Sequence, residues 1–408
     1  MSALSKAKVP LQTKMSFTLT CFRDLCAAHP TWSDLSSYLQ SEAGGKLRIV
    51  EPTTSQMAII RYTKGVSNMN LEHVRAFRSV VWNKETNRPV CVAPVKAEEG
   101  EPAAGVSLLI SDFVDGTMVN TWRQEGADAQ IATRTSLNAV GTFYSSRNFS
   151  DLFADALRQV GGTKTFLNSV LAPGEFASFV LQHREHKTVA PVNYNRVFVT
   201  QFGRVDSDGT VTISADSASW PQRLVGYAPQ VYDENATFAN SKDALTMLRN
   251  NAPQSFTWQG MVFQERDGSR RWRLRNPAYV VVRTLRGAEA NPMARFLRLR
   301  CSGQTKQYLG YFLEESKQMW TFEQTLRQRT QELYDAYVAM NKLKTKSMRD
   351  LPYCLRPHVY ALHGQYLASL PKEGQEGTPT PVLKETVINY VNALAQEDQL
   401  KLLEGDRV

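Results

Sequence analysis

The sequence predicts an α+β body followed by a helical C-terminal domain. Three observations carry this. Between about residue 46 and residue 290, short apolar runs recur between polar turns, the mark of strands. From about Asn291 the apolar spacing changes to threes, fours and sevens, the mark of helices. A polar stretch rich in Gly and Pro, Lys372 to Pro381 (KEGQEGTPTP), then separates the last helices. The expected division is a helical lead-in over 1–45, a body over 46–290 and a helical domain over 291–408.

The lead-in ends at Gly44-Gly45, where adjacent glycines favour a break. Arg78 to Trp82 and Pro89 to Ala93 flank the polar turn Asn83–Asn87 and read as a hairpin, and Val106 to Ile110 with Thr117 to Trp122 repeat the pattern. Further strands are expected at Phe176 to Gln182, Arg196 to Phe202, Thr210 to Ser214, Phe256 to Phe263, Arg271 to Leu274 and Tyr279 to Leu285. Phe149 to Val160 has its apolar residues at Leu152, Phe153, Ala156, Leu157 and Val160, an amphipathic helix. In the C-terminal part, Leu326, Leu333, Tyr337 and Met340 share one helical face, as do Val359, Leu362, Tyr366 and Leu370. Val387, Val391 and Leu394 mark a last helix, and Trp320, Tyr334 and Tyr337 are expected to pack between helices.

A length of 408 residues suits two domains. The hydrophobic fraction of 42% is that of a folded chain, and the formal charge of +9 leans towards a polyanionic partner. No apolar run approaches the roughly 18 residues that would span a bilayer, and no apolar signal core opens the chain. The expectation is a soluble intracellular protein with no membrane partner. Five scattered cysteines argue against a disulfide framework, and Cys21 and Cys26 have no second ligand pair for zinc. His183 and His186, three apart in an extended segment, and His358 and His363, five apart in a helix, do not share a face, so no metal site is expected.

The chemistry-bearing segments follow one another in a particular order: FRSVVWNKETNRPVCVAPVK, SDFVDGTMVNTW, IATRTSLNA, FASFVLQHREHKTVAPV, WQGMVF and RWRLRNPAYVVV. Together they resemble the successive motifs of the bacteriophage-type RNA ligases, within the covalent nucleotidyltransferase superfamily. RPHVYALHGQYL, near the C-terminus, is similar to ligase-like proteins of large DNA viruses of eukaryotes. The resemblance implies a nucleotidyltransferase domain of antiparallel, ATP-grasp-like sheets. It places Arg78 on the arginine-led strand pair, Phe113-Val114-Asp115-Gly116 on the Lys-x-Asp-Gly motif and Thr133-Arg134-Thr135 on the segment after it.

The departures bear on function. The family's nucleophile is a neutral lysine amine that attacks the α-phosphate of ATP; the resemblance puts Phe113 there, and a phenyl ring has no lone pair to donate. Gln259 stands for a metal-holding glutamate and lacks the charge that a hard cation prefers. Phe179 stands at the third motif's acidic position, and Arg273 and Arg275 replace two phosphate-binding lysines. Lys84 and Lys96 could relocate the nucleophile, but neither has an Asp-Gly partner at the family's spacing. As a strand, Arg271, Arg273 and Arg275 would point to one face, with Trp272 and Leu274 on the other.

Three readings stay open. The first is a degenerate ligase relative that binds RNA, another nucleic acid or a nucleotide in the old cleft. There Arg78, Arg134, Arg271, Arg273 and Arg275 would contact phosphate, and Asp115, Gly116 and Gln259 would shape the pocket. The second is an active ligase with a relocated lysine, which would use ATP with Mg2+. The third is a structural protein, for example of a virus particle in a host cell, with Phe113 and Phe179 filling the pocket. In the first reading the C-terminal helices would serve RNA or a protein partner. The bland alternatives are that Asp115-Gly116 is an ordinary turn and that the arginines solvate a strand edge.

Overall fold

A computed structural model describes residues 16–100, 102, 107–214, 216–232, 256–268, 270–371 and 377–405. The chain divides into two units, Met1–Arg283 and Thr284–Val408. Most of the expected lead-in's start, Val106 and half of the Gly/Pro-rich linker lie outside the described residues.

The described residues of the N-terminal unit form three sheets. The lead-in opens on a strand, β1 (Ser16–Leu19), before two helices, α1 (Cys21–Ala28) and α2 (Trp32–Gln40). The strands β2 (Arg48–Val50), β3 (Met57–Arg61), β4 (Val80–Asn83) and β5 (Arg88–Val92) form a four-stranded sheet in that order, with α3 (Glu72–Ala76) between β3 and β4. The β4–β5 hairpin is set by its own side chains. Asn83 Oδ1 accepts from the amides of Glu85 and Thr86, and Asn87 takes a positive φ of 50°. Asn87 Oδ1 then accepts from Trp82 Nε1 at 3.2 Å, which satisfies the one polar atom of a buried indole.

The remaining strands are β6 (Glu98–Glu99), β7 (Leu108–Asp112), β8 (Thr117–Trp122), β9 (Gln130–Ala132), β10 (Glu175–Gln182), β11 (Arg196–Val205), β12 (Val211–Ser214), β13 (Val231–Tyr232), β14 (Gly260–Glu265) and β15 (Arg271–Arg275). One sheet runs β1-β12-β11-β10-β8-β9 and another β13-β7-β14-β15-β6; the pairings are antiparallel except β15 with β6. Two apolar layers flank β10. Phe176 packs with Phe22, Phe77, Trp82 and Trp122 between the first two sheets. Ala177, Phe179 and Leu181 pack on the other side, against helices α4 (Phe149–Ala156) and α5 (Gly162–Val170). Each such ring, fully buried, contributes roughly 1.5–3 kcal/mol relative to exposure.

Two of the expected strand arrangements are overturned. β7 and β8 do not form a second hairpin: they lie in different sheets, and Phe113–Gly116 carries the chain between them. The Phe113 amide donates to Gly260 O at 2.9 Å, so the β7 ladder continues along β14 instead of folding back. Gly116 suits the crossing because a Cβ there would stand 2.3 Å from Leu181 O. The second is Tyr279 to Leu285, read as a strand from its valines. It lies in a helix, α7 (Pro277–Arg286), preceded by a short helix α6 (Gln222–Val225). Asn276 Oδ1 accepts from the Ala278 amide at 3.0 Å, Pro277 fits a first helical turn, and Tyr279, Val282 and Leu285 bury one face while Val281 stays exposed. Burial at a spacing of three overrides the β-propensity of the valine run.

The C-terminal unit is helical, as expected. It comprises α8 (Pro292–Cys301), α9 (Thr305–Tyr311), α10 (Ser316–Tyr337), α11 (Arg356–Ala368), α12 (Lys384–Ala393) and α13 (Gln396–Glu404). Leu326, Leu333 and Tyr337 are buried together with Val359, Leu362, Val387 and Val391. Trp320 is not a packing residue: it is 65% exposed, and Leu370 is also exposed. Beneath the helices, Glu315 receives Arg286, Arg295 at 2.9 Å and the Tyr308 hydroxyl at 2.6 Å. Burial opposes its charge, but the two guanidiniums and the phenol hold this carboxyl below the ordinary range. No helix among the described residues is long and apolar enough to cross a membrane.

Candidate functional site

Where β7 hands over to β8, the N-terminal unit opens a cleft of about 550 Å³. Strand alternation supplies one wall. Trp272 turns into the small core of the five-stranded sheet with Phe263, while Arg271, Arg273 and Arg275 face the cleft. Arg78 and Arg134 also line it, as do Phe113, Asp115, Gly116 and Gln259, so every site residue expected from sequence except Phe179 lies on this cleft. Among the described lining residues there is no lysine. Lys84 lies in the β4–β5 turn, and Lys96 sits 5.8 Å above the Tyr62 ring.

Phe179 is a correction. Alternation along β10 puts it in the helix-covered core, edge-on to Phe153 at 5.6 Å, and Val180 faces the cleft instead. The Phe113 ring does face the cleft, with the Arg275 guanidinium 5.8 Å from its centroid.

The acids of the cleft are already engaged. Asp115 Oδ2 accepts from the amides of Val189 and Ala190 at 3.1 and 3.0 Å, and Oδ1 accepts from the Tyr279 hydroxyl at 2.8 Å. Asp112 Oδ1 accepts from Tyr232 and from Trp258 Nε1. The resemblance implied ATP with Mg2+, and these residues do not fit such a cation. A hard divalent ion wants several carboxylate or carbonyl oxygens, whereas Asp112 and Asp115 are committed within the fold and Gln259 is neutral. The described residues hold no group of three or more side chains arranged to ligate a metal.

The cations divide into two groups. Arg273 donates twice to Glu99 Oε1, at 2.9 and 2.6 Å, and Arg275 lies 3.6 Å from the same oxygen. Arg78 and Arg271 have no carboxylate within salt-bridge reach among the described residues; Arg271 reaches only Val95 O, at 3.4 Å. Burial, then the neighbouring Arg78 and Arg273 charges, push Arg271 down to about 9. Burial also depresses Arg78, with Arg134 and Arg273 adding to it and Tyr62 opposing. Such depression comes first from burial, and the neighbouring like charges add to it. Arg134 lines the cleft and also braces its wall: Nε donates to Arg78 O and Nη2 to Tyr62 O, and its guanidinium stacks 4.8 Å from the Tyr62 ring.

Asp112, Tyr279 and Arg283 also line the cleft and were not singled out in the sequence. Helical periodicity carries the missing signal, because Tyr279 and Arg283 are four apart and share a face of α7.

No protein-family model matches the chain, and no curated protein matches it. Among solved structures it is similar to an archaeal ATP-dependent RNA ligase, at 9% identity and TM-score 0.36, over 73% of each chain. A second form of that ligase gives 10% identity and TM-score 0.38, over 69% of this chain and 68% of that one. A Naegleria gruberi RNA ligase variant with ATP and Mn gives 15% identity and TM-score 0.29; the match covers 43% of this chain and about half, 52%, of the ligase. The architecture described above stands on its own sheets and helices.

Proposed function

We propose that this chain is an RNA-ligase-like protein without the covalent step, which binds the phosphates of a nucleic acid or nucleotide in the arginine-lined cleft. The observation that carries this reading is the makeup of one wall: Arg271, Arg273 and Arg275 with Arg78, beside Phe113, and no lysine among the described lining residues. Guanidinium forks suit phosphate oxygens, hold their charge at any physiological pH, and cannot serve as the amine nucleophile. Arg78 and Arg271 are the principal phosphate contacts. Arg273 and Arg275 join them when a phosphate displaces Glu99, and Arg134, Gln259, Gly116 and Asp115 shape the pocket.

The exposed Tyr353 and Tyr360 of the C-terminal unit, at 73% and 75%, belong to a surface for a protein partner in this reading.

The test has two arms. Fluorescence anisotropy with labelled ATP and with a 5′-phosphorylated oligonucleotide is expected to show binding that weakens steeply with added salt, as counterion release requires. Incubation with α-labelled ATP and Mg2+ or Mn2+, followed by a denaturing gel, is expected to give no labelled protein. An acid-labile band, mapping for example to Lys96, would overturn the noncovalent reading, and salt-independent binding would remove the arginines as its basis.

A further inference from the structure

The arginines do not stop at the cleft wall. Arg48 and Arg61 are direct cross-strand partners at the β2–β3 edge of the four-stranded sheet. Like charges facing each other destabilise a ladder, so the pairing needs a reason. Residue 62, next along the chain, is the tyrosine whose ring carries Arg134 and whose carbonyl accepts from it. Arg134 in turn donates to the Arg78 carbonyl, and Arg78 lines the cleft with Arg271 and Arg273. Arg48, Arg61, Arg134, Arg78 and Arg271 thus form a row, and none has a carboxylate within salt-bridge reach among the described residues. The contrast within the same chain is plain: Arg286, Arg295, Arg298 and Arg300 all rest on glutamates.

Protection of a sheet edge by charge would leave Arg61 with its head in water. Arg61 is only partly in water: the side chain is half-buried, and its Nε is buried with no hydrogen-bond partner. Burial first, then the Arg134 and Arg48 charges, depress the Arg61 pKa. From the β2–β3 pair to the cleft these arginines follow one another as neighbours, with no carboxylate within salt-bridge reach of them among the described residues. The phosphates of one nucleotide sit together at one point and leave the far end uncovered. A single strand, with one phosphate per nucleotide along a flexible backbone, can match it.

We infer that the cleft's ligand is a single-stranded nucleic acid several nucleotides long, whose backbone leaves the cleft past Arg134 and crosses the Arg48–Arg61 pair. This rests on the proposed phosphate-binding cleft and adds the direction of the strand and its outer contacts. Arg61 and Arg48 bind the distal phosphates, while Arg78 and Arg271 bind those inside.

The test compares a fluorescein-labelled oligouridylate of about 12 nucleotides with ATP and with pyrophosphate. Each is titrated into the full chain and into an Arg48→Gln/Arg61→Gln double variant over a salt series. For the oligouridylate the double variant is expected to lose roughly tenfold in affinity, and its salt slope to fall by about 1.4 for two lost phosphate contacts. ATP and pyrophosphate affinities are expected to stay unchanged, and an Arg48→Lys/Arg61→Lys variant to recover most of the oligouridylate affinity. Thermal unfolding of the free double variant should come no lower than that of the parent, since a repulsion has been removed. If the double variant keeps full affinity and slope for the oligouridylate while Arg271→Gln weakens it, the outer track is wrong and the cleft reading survives. If neither ATP, pyrophosphate nor the oligouridylate binds the parent chain, the cleft reading fails and this inference with it.

Discussion

The Tyr279 hydroxyl donates to Asp115 Oδ1 at 2.8 Å, tying helix α7 to the Asp-Gly crossing between two sheets. The carboxylate of a motif that resembles a catalytic one thus serves as a buried clamp, with the amides of Val189 and Ala190 on its other oxygen.

Loss of that clamp should therefore appear in stability. Tyr279→Phe keeps the ring and removes one hydrogen bond to a charged acceptor, an expected cost of about 1.5–3 kcal/mol. Asp115→Asn should destabilise at least as much, because a neutral amide accepts more weakly from Val189 and Ala190. Urea unfolding checks both. Unchanged stability together with abolished nucleotide binding would mark Asp115 as a ligand contact instead.

The crowding of Arg78, Arg271 and Arg273 makes a different prediction for anions. Pyrophosphate at about a hundred times its Kd should stabilise the parent chain by about 2.7 kcal/mol. Arg271→Met should raise the melting temperature of the free protein and shrink the gain from pyrophosphate. A melting temperature that pyrophosphate does not move would argue against an anion site.

Restoring the amine should not restore chemistry. Phe113→Lys would place an ammonium next to Arg275, whose guanidinium lies 5.8 Å from the present ring, while Asp112 and Asp115 are engaged within the fold and the described residues hold no group of three or more metal-ligating side chains. The expected outcome with α-labelled ATP is no covalent adduct and a less stable protein. A labelled band from this single substitution would show that the rest of the cleft is catalytically intact.

Acid should weaken the C-terminal unit through His358. Burial lowers its pKa below the ordinary 6.5, with Asp398 partly opposing, and Nδ1 lies 2.9 Å from the Tyr390 hydroxyl. The folded ring stays neutral while the unfolded chain takes up a proton near 6.5, so stability is full above that pH and falls as pH drops below it. Melting curves from about pH 7.5 to about 5.5 are expected to show this slope, flattened in His358→Gln; the pH limits are about one unit either side of an unperturbed histidine. An identical slope in the variant would assign the acid sensitivity to other groups.

Much of the cleft was legible because strand alternation is a local rule. The RWRLR run places three arginines on one face whatever the rest of the chain does, and β15 has that arrangement. The hairpin at Asn83–Asn87 was legible for the same reason, since Asn side chains close their own turn. Phe179 was misplaced because alignment to a motif ignores the one-residue step that moves a side chain from the cleft to the core. The Tyr279–Leu285 run was misread because its valines favour strands, and only packing showed which of them are buried.

The amino-acid sequence by itself determined the α+β body, the helical C-terminal unit and the basic face of β15. All of these follow from residue identity and short-range periodicity. Tertiary structure alone decided that β7 and β8 part into different sheets, that Asp115 is closed off by Tyr279, and that Arg48 faces Arg61 across β2 and β3. Each of those depends on groups far apart in the chain meeting in space. The energies involved, a buried carboxylate satisfied or like charges left without a counterion, exist only once the chain has brought them together.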